Sequence, residues 1–147
     1  MGELYIKECM VEDIELLAAL NQQLIEDERH DNKMNIEQLK DRMTDFLKTE
    51  YKAYFFYFHN EIKGYALVNP NKHPIYLRQF YICRDSRRNG YGKLAFEKLK
   101  EQFNTDEIDI EVMHWNEGGY NFWKAMGFKE RSIYMRLEAK QGRAEEF

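Results

Sequence analysis

The sequence of 147 residues carries a net charge of −4, and 44% of its residues are hydrophobic and 15% aromatic. This length and composition predict one globular domain that buries a core. The acidic balance disfavours nucleic acid as a partner, because nonspecific nucleic-acid binding needs a basic surface. No apolar run approaches the roughly 20 residues that span a bilayer. The first residues also lack the pattern of a secretory signal, so we expect a cytoplasmic protein without a membrane partner.

The cysteines and histidines do not form the clusters that bind a metal. Cys9 and Cys83 are the two cysteines of the sequence, and their spacing indicates neither a metal site nor a redox motif. The four histidines form no pair spaced by four residues. We therefore expect two reduced cysteines and no bound metal.

The first half of the chain predicts a strand, two amphipathic helices and a hairpin. The helices follow from apolar residues at three- and four-residue spacing, and the hairpin from two apolar runs joined by a short polar turn. Asn35 and Gln38 have the spacing of a capping box at the start of the second helix. The predicted elements are a strand over 4–10, helices over 11–27 and 35–50, and strands over 53–59 and 62–68.

The second half predicts alternating strands and helices. The elements are a strand over 76–82, a helix through 94–103, a strand over 108–113, a helix over 117–126 and a final strand over 128–137. The polar residues 139–147 are expected to form a frayed tail. The order β-α-α-β-β-β-α-β-α-β predicts a single α/β domain over 1–138, with a mixed sheet flanked by helices.

A basic, glycine-containing turn separates the strand over 76–82 from the helix that follows. Residues 84–100 contain six basic and two acidic residues, although the whole chain is acidic. The first turn of a helix leaves unpaired N–H groups, and glycines let a phosphate approach the backbone closely. The turn is therefore a candidate cradle for a diphosphate. The alternative is a solvated loop that caps the helix.

Two motifs resemble one known family. Arg87, Gly90 and Gly92 match the pattern Gln/Arg-x-x-Gly-x-Gly/Ala, and Asn116 precedes an aromatic-rich helix that ends in Gly-Phe at 127–128. This pair of motifs resembles the GNAT (GCN5-related N-acetyltransferase) superfamily. The resemblance covers residues 76–134 through its motifs and the N-terminal half through its order of elements.

The resemblance implies the acyl-CoA N-acyltransferase fold, with a mixed and mostly antiparallel sheet. It also implies acetyl-CoA as the cofactor, whose pantetheine arm would lie in a gap between the strands over 76–82 and 108–113. An amine would attack the thioester directly. The cofactor-binding residues implied by the resemblance are Phe80, Tyr81, Ile82, Arg87, Arg88, Asn89, Gly90, Tyr91, Gly92, Lys93, Asn116 and Trp123.

The general acid cannot be the usual residue of the family. Many members have a tyrosine that protonates the leaving thiolate, and this chain has Trp123 at that position. An indole N–H is not acidic enough to take this role. We predict either that Tyr120, one turn earlier, is the acid or that the thiolate leaves with the help of water.

A base must remove a proton from the attacking amine. We predict Glu111, on the fifth strand, as this base, with the acidic linker between the first two helices as the alternative source. The linker is also expected to border the acceptor site and to favour a small cationic amine, such as a polyamine or an aminoglycoside. The linker residues considered are Glu26, Asp27, Glu28 and His30, and the substrate-binding prediction rests on Glu26, Glu28 and His30.

Three other interpretations stay open. The acceptor could be a peptide or protein α-amine in place of a small molecule. The chain could also be a CoA-binding regulatory module without turnover, because Trp123 stands where many members of the family have the tyrosine acid. A nucleic-acid-binding protein is the weakest alternative, because the aromatic residues precede the basic turn and do not interleave with it. The sequence leaves open whether the chain is a monomer or a homodimer, although similar proteins often dimerise through the sheet or the final strands.

Overall fold

The computed structural model describes residues 3–139, which form nine regular elements and two short 3₁₀ turns. The strands are β1 (Tyr5–Glu8), β2 (Lys52–Phe58), β3 (Glu61–Asn69), β4 (Ile75–Ile82) and β5 (Ile108–Asp109). The helices are α1 (Ile14–Asp27), α2 (Ile36–Lys48), α3 (Tyr91–Phe103) and α4 (Glu117–Ala125). The predicted capping box is present at α2, where the Asn35 and Gln38 side chains each accept the other's backbone N–H at 2.9 Å.

The sheet has the order β1-β2-β3-β4-β5. The first four strands pair antiparallel, and β4 and β5 pair parallel. This arrangement confirms the predicted mixed, mostly antiparallel sheet with flanking helices.

The sheet separates two apolar cores. Leu17 of α1 and Met43 of α2 pack with Phe55 on one face, and Phe96 of α3 packs with Phe56 on the other. Successive side chains of a strand point to opposite faces, so a strand that is covered on both sides is apolar throughout. This explains the continuous aromatic run of β2. No helix among residues 3–139 is long and apolar enough to cross a bilayer.

A bulge in β4 changes which side chains face each core. Leu67 pairs with Gln79, whereas the next residue, Val68, pairs with Leu77, so Arg78 is the extra residue. An extra residue reverses the alternation of side chains beyond it. As a result, Leu77 packs in the α3 core, and Gln79 bonds to Tyr65 beneath α1.

Two predictions for the last third of the chain are wrong. The strand predicted over 108–113 is limited to Ile108–Asp109, because the chain then diverges from β4 and loses its backbone partners. The final strand predicted over 128–137 is absent from the described residues. Four of its large apolar side chains are more than three-quarters exposed, because no strand of the described chain lies beside them; they are Ile133, Tyr134, Met135 and Leu137. Of the predicted tail, residues 140–147 lie outside the described residues.

Candidate active site

A gap opens between β4 and β5 because the two strands pair at only two positions. Ile75 pairs with Ile108 and Tyr76 with Asp109, and the strands separate beyond these residues. The Tyr76 hydroxyl donates to a Glu111 carboxylate oxygen at 2.5 Å beside the point of divergence. Burial, and then this hydrogen bond, raises the Tyr76 pKa. Glu111 thus lies at the narrow end of the gap.

The turn before α3 exposes several backbone N–H groups. Arg88 and Gly90 both have positive φ, at 65° and 77°, and Gly90 caps the helix in the left-handed conformation. The first intrahelical bond runs from the Leu94 N–H to the Gly90 carbonyl, at 3.2 Å. The N–H groups of Tyr91, Gly92 and Lys93 therefore have no partner within the helix, and the helix dipole adds partial positive charge. These donors fit the diphosphate of a CoA thioester.

Asp27, at the end of α1, holds two arginines of this turn. It accepts from the Arg84 Nε at 2.8 Å and from an Arg87 terminal nitrogen, and the Arg87 Nε donates to the Ile82 carbonyl at 2.9 Å. Burial raises the pKa of Asp27, but the hydrogen bonds from Arg84 and then Arg87 outweigh burial and hold it below its ordinary value. The Arg87 side chain thus anchors the turn to α1. Arg88 is exposed, with no carboxylate of residues 3–139 within 4 Å.

We expect Asp27→Asn to destabilise the fold by about 1 kcal/mol at neutral pH, the upper range for a surface ion pair. The folded pKa of Asp27 is lowered, so the carboxylate stabilises the fold above its unfolded pKa, and this contribution is lost as the pH falls through the folded pKa. Urea unfolding should show a difference between wild type and variant that shrinks as the pH falls below the ordinary aspartate pKa of 3.8. Glu26→Gln is the control, because Glu26 is 60% exposed and pairs with Arg84 only. Equal losses in the two variants at all pH values would contradict the expectation.

Glu28, the residue after Asp27, is half-buried beside the gap. Its backbone carbonyl accepts the Trp115 indole N–H at 2.9 Å, which ties the end of α1 to the segment after β5. Burial, and then the neighbouring charge of Asp27, raises the pKa of the Glu28 carboxyl to about 7. A carboxyl with this pKa can both accept and release a proton near neutrality.

Polar side chains lie between α1 and the sheet. The buried Tyr65 hydroxyl donates to the Gln79 side chain at 2.7 Å, and the Tyr81 hydroxyl donates to Gln23 at 2.8 Å. Burial raises the Tyr65 pKa. The sequence predicted Tyr81 as a cofactor-binding residue through its main chain, whereas Tyr65, Gln79 and Gln23 were not predicted, although a glutamine inside an apolar strand is a signal of a polar site.

The comparison with known proteins identifies the family. A model of the acetyltransferase (GNAT) family matches residues 15–128, most of the chain. The chain belongs to the GNAT acetyltransferase family. The sequence-based prediction of an acetyltransferase of this superfamily is thereby confirmed.

Solved structures of other acetyltransferases share the fold. A predicted acetyltransferase from Clostridium acetobutylicum with acetyl-CoA is 17% identical with a TM-score of 0.67, and the match covers 92% of this chain and 96% of that one. The aminoglycoside N-acetyltransferase AAC(6')-Iy in complex with CoA is 16% identical with a TM-score of 0.70, covering 95% and 97%. The ribosomal-protein-alanine N-acetyltransferase from Brucella melitensis biovar Abortus 2308 is 12% identical with a TM-score of 0.71, covering 91% and 99%. The predicted acyl-CoA N-acyltransferase fold is thus confirmed.

The predicted substrate-binding residues of the acidic linker in this GNAT chain have different surroundings. Glu26 is exposed and pairs with Arg84 at 3.0 Å. The His30 Nδ1 accepts the Asn32 backbone N–H at 3.1 Å, which holds the loop that follows α1. Glu28 is half-buried, and the role of all three residues in acceptor binding stays a prediction.

The residues of the second GNAT motif lie on or beside α4. The Asn116 side chain caps this helix by accepting the Gly119 N–H at 3.0 Å. The exposed Tyr120 hydroxyl donates to Glu130 at 2.5 Å. The Trp123 ring lies 5.1 Å from the Phe80 ring and 5.4 Å from the Phe96 ring, measured between centroids. Trp123 thus joins an aromatic cluster between β4 and α3, and its contact with the cofactor stays a prediction.

Proposed function

We propose that the chain transfers the acetyl group of acetyl-CoA to a primary amine by direct attack. The observation that carries this proposal is the position of the open N–H groups of α3 at one end of the β4–β5 gap, with the half-buried Glu28 beside it. Acetyl-CoA, the cosubstrate of this family, supplies the acetyl group as a thioester.

The backbone of β4 and of the turn would orient the cosubstrate. Residues 87–93 offer N–H donors to the diphosphate, and the exposed Arg88 and Lys93 offer charges that no carboxylate among residues 3–139 pairs within 4 Å. The main chain of Phe80, Tyr81 and Ile82 would bind the pantetheine arm and the acetyl oxygen. Donors aimed at an oxygen that gains charge during the reaction supply several kcal/mol of stabilisation.

Glu28 is the proposed base. An alkylammonium has a pKa near 10.4, so the acceptor must lose a proton before it attacks. Glu28 has a pKa of about 7 and is half-buried beside the gap, which supports it as a proton acceptor of suitable strength for the amine. Glu111 is the other predicted base, and its carboxylate accepts a hydrogen bond from Tyr76.

Tyr120 stays the predicted general acid, with water as the alternative. The hydrogen bond to Glu130 raises the Tyr120 pKa, which makes it a weaker acid. A CoA thiolate is a good leaving group by comparison, since an ordinary thiol has a pKa of about 8.5. A Tyr120→Phe variant distinguishes the two: a fall in kcat without a change in KM supports Tyr120, and an unchanged kcat supports water.

The proposed acceptor is a small amine. A peptide or protein α-amine is the second candidate, favoured by the fold shared with a ribosomal-protein-alanine N-acetyltransferase. The test is a thiol-release assay with acetyl-CoA and a panel of polyamines, aminoglycosides, amino acids and short peptides. We expect release of CoA with at least one class of amine. Binding of acetyl-CoA without release from any member of the panel would favour a regulatory CoA-binding module.

We also propose that two copies of the chain associate through the segment 129–139. Ile133, Met135 and Leu137 alternate with more polar residues, as in a strand with one apolar face, and all three are exposed. In the described part of the chain, β5 is the last strand of the sheet and leaves one edge unpaired. An exposed strand-like segment and an open sheet edge in each copy favour pairing between copies.

We expect Ile133→Asp to shift the chain from dimer to monomer, because it places a charge in the proposed interface. Size-exclusion chromatography with light scattering measures the mass directly. Ser132→Asp is the matched control, since it adds the same charge at the neighbouring exposed position. A monomeric wild type, or a dimer that both variants preserve, would contradict the proposal.

A further inference from the structure

Two arginines on the acceptor side of the sheet have no carboxylate partner. Arg42 of α2 and Arg78 of β4 both lie over the Phe46 ring, with their guanidinium carbons 5.2 Å and 5.0 Å from its centroid. Within residues 3–139, no carboxylate oxygen comes within 4 Å of either side chain. Among residues 3–139, one side-chain hydrogen bond involves this pair: the Arg78 Nη1 donates to the Tyr51 hydroxyl at 3.3 Å.

Placing the half-buried Arg42 beside the exposed Arg78 costs free energy, which an anion or solvent can offset. Arg42 is half-buried, and burial and then the charge of Arg78 lower its pKa. A guanidinium stays charged in proteins, so burial beside a second cation must be offset by an anion or by solvent. The ring of Phe46 stabilises each cation by roughly 1 kcal/mol but does not neutralise it.

Arg78 lies on β4, the strand that forms one side of the β4–β5 gap. The bulge makes it the extra residue of that strand, next to Gln79, whose side chain accepts the Tyr65 hydroxyl at 2.7 Å. Two residues earlier on β4, Tyr76 donates to Glu111 at the narrow end of the gap. The two guanidiniums therefore stand beside the gap that the proposed reaction uses, where they can bind an anionic group of the acceptor.

We propose that the acceptor is a small amine that also bears a carboxylate, as an amino acid does, and that Arg42 and Arg78 bind this carboxylate. The inference rests on the proposed function, since it names the substrate class of the same site. A guanidinium donates two parallel hydrogen bonds to a carboxylate, which gives specificity as well as attraction. Polyamines and aminoglycosides lack the anionic group, so the inference replaces the cationic acceptor that the acidic linker predicted.

The test compares amino acids with their amides, which keep the amine and lose the negative charge. We expect wild type to show a kcat/KM for the acids about tenfold or more above that for the amides. Arg42→Met and Arg78→Met should each remove most of this preference, while replacement of the exposed Arg131, in the segment after α4, by methionine should keep it. Circular dichroism shows whether each variant is folded. If Arg42→Met does not fold, Arg78→Met still tests the proposal, because Arg78 is exposed.

Calorimetry with N-acetyl amino acids, which are products of the proposed reaction, separates the two proposals. Binding of these products by wild type and its loss in Arg78→Met, without turnover of any amine, would overturn the proposed function and support the carboxylate site. Turnover of polyamines at a rate that neither arginine variant changes, with no preference for acids over amides, would overturn the carboxylate site and leave the acetyltransferase function intact.

Discussion

Replacing Glu28 by glutamine is expected to lower kcat/KM for the acceptor amine by about 100-fold or more near neutral pH, the usual contribution of a general base. In wild type, kcat/KM should rise as the pH increases through about 7, because the carboxylate form of Glu28 is the form that accepts the proton. The variant should lose this limb of the pH profile and keep only the limb that belongs to the amine itself. Stopped assays of CoA release across the pH range measure both effects.

Two controls accompany the Glu28 variant. Glu26→Gln removes a neighbouring carboxylate that pairs with Arg84, and it should leave the limb near pH 7 unchanged. Glu111→Gln tests the other predicted base. If Glu111→Gln removed the limb and Glu28→Gln did not, Glu111 would be the base and the proposal for Glu28 would be wrong.

The raised pKa of Glu28 also affects stability, with a defined sign. In the folded chain the carboxyl holds its proton up to about pH 7, whereas in the unfolded chain it releases it near its ordinary value of 4.5. The unfolded state therefore binds fewer protons between these values, and the free energy of unfolding falls as the pH rises through them. Glutamine does not ionise, so the variant should gain stability relative to wild type over this range.

Replacing Gly90 by valine is expected to weaken acetyl-CoA binding by about tenfold or more. Gly90 has φ of 77°, a conformation that a β-branched residue adopts only with strain. Relief of this strain would move the N–H groups at the start of α3 away from the diphosphate. Isothermal titration calorimetry with acetyl-CoA measures the change in affinity.

Gly127→Val is the matched control for this prediction. Gly127 also has positive φ, at 103°, and an added Cβ meets no atom within 4 Å at either glycine. Both variants therefore carry a similar backbone strain, and both should lower the free energy of unfolding by about 1–2 kcal/mol. Equal affinities for acetyl-CoA in the two variants would show that the turn before α3 does not bind the cofactor.

Sequence analysis predicted the elements whose pattern is local. The strand β4, the glycine turn and α3 follow one another within a single stretch, and each has its own spacing of apolar residues. The capping box of α2 depends on two residues three positions apart, so it too could be found in the sequence. The mixed sheet followed from the order of these elements.

The features that failed prediction depend on distant parts of the chain. The segment 128–137 has the alternation of a strand, but a strand also needs a neighbour to bond with, and the described chain supplies none. Asp27 meets Arg84 and Arg87 across 57 and 60 residues, so the contact that anchors the basic turn to α1 could not be found in the sequence. The partial burial that gives Glu28 its raised pKa likewise arises from packing that no local pattern reports.

The most direct test of the account is an NMR titration of the ¹⁵N-labelled chain with CoA. The backbone amide signals of Tyr91, Gly92 and Lys93 should shift early and strongly, because these N–H groups bond to the diphosphate. Signals from α2, on the acceptor side, should shift less, because CoA alone does not fill that side. Saturation with CoA that leaves the three amide signals in place would contradict the central claim that the turn before α3 binds the cofactor.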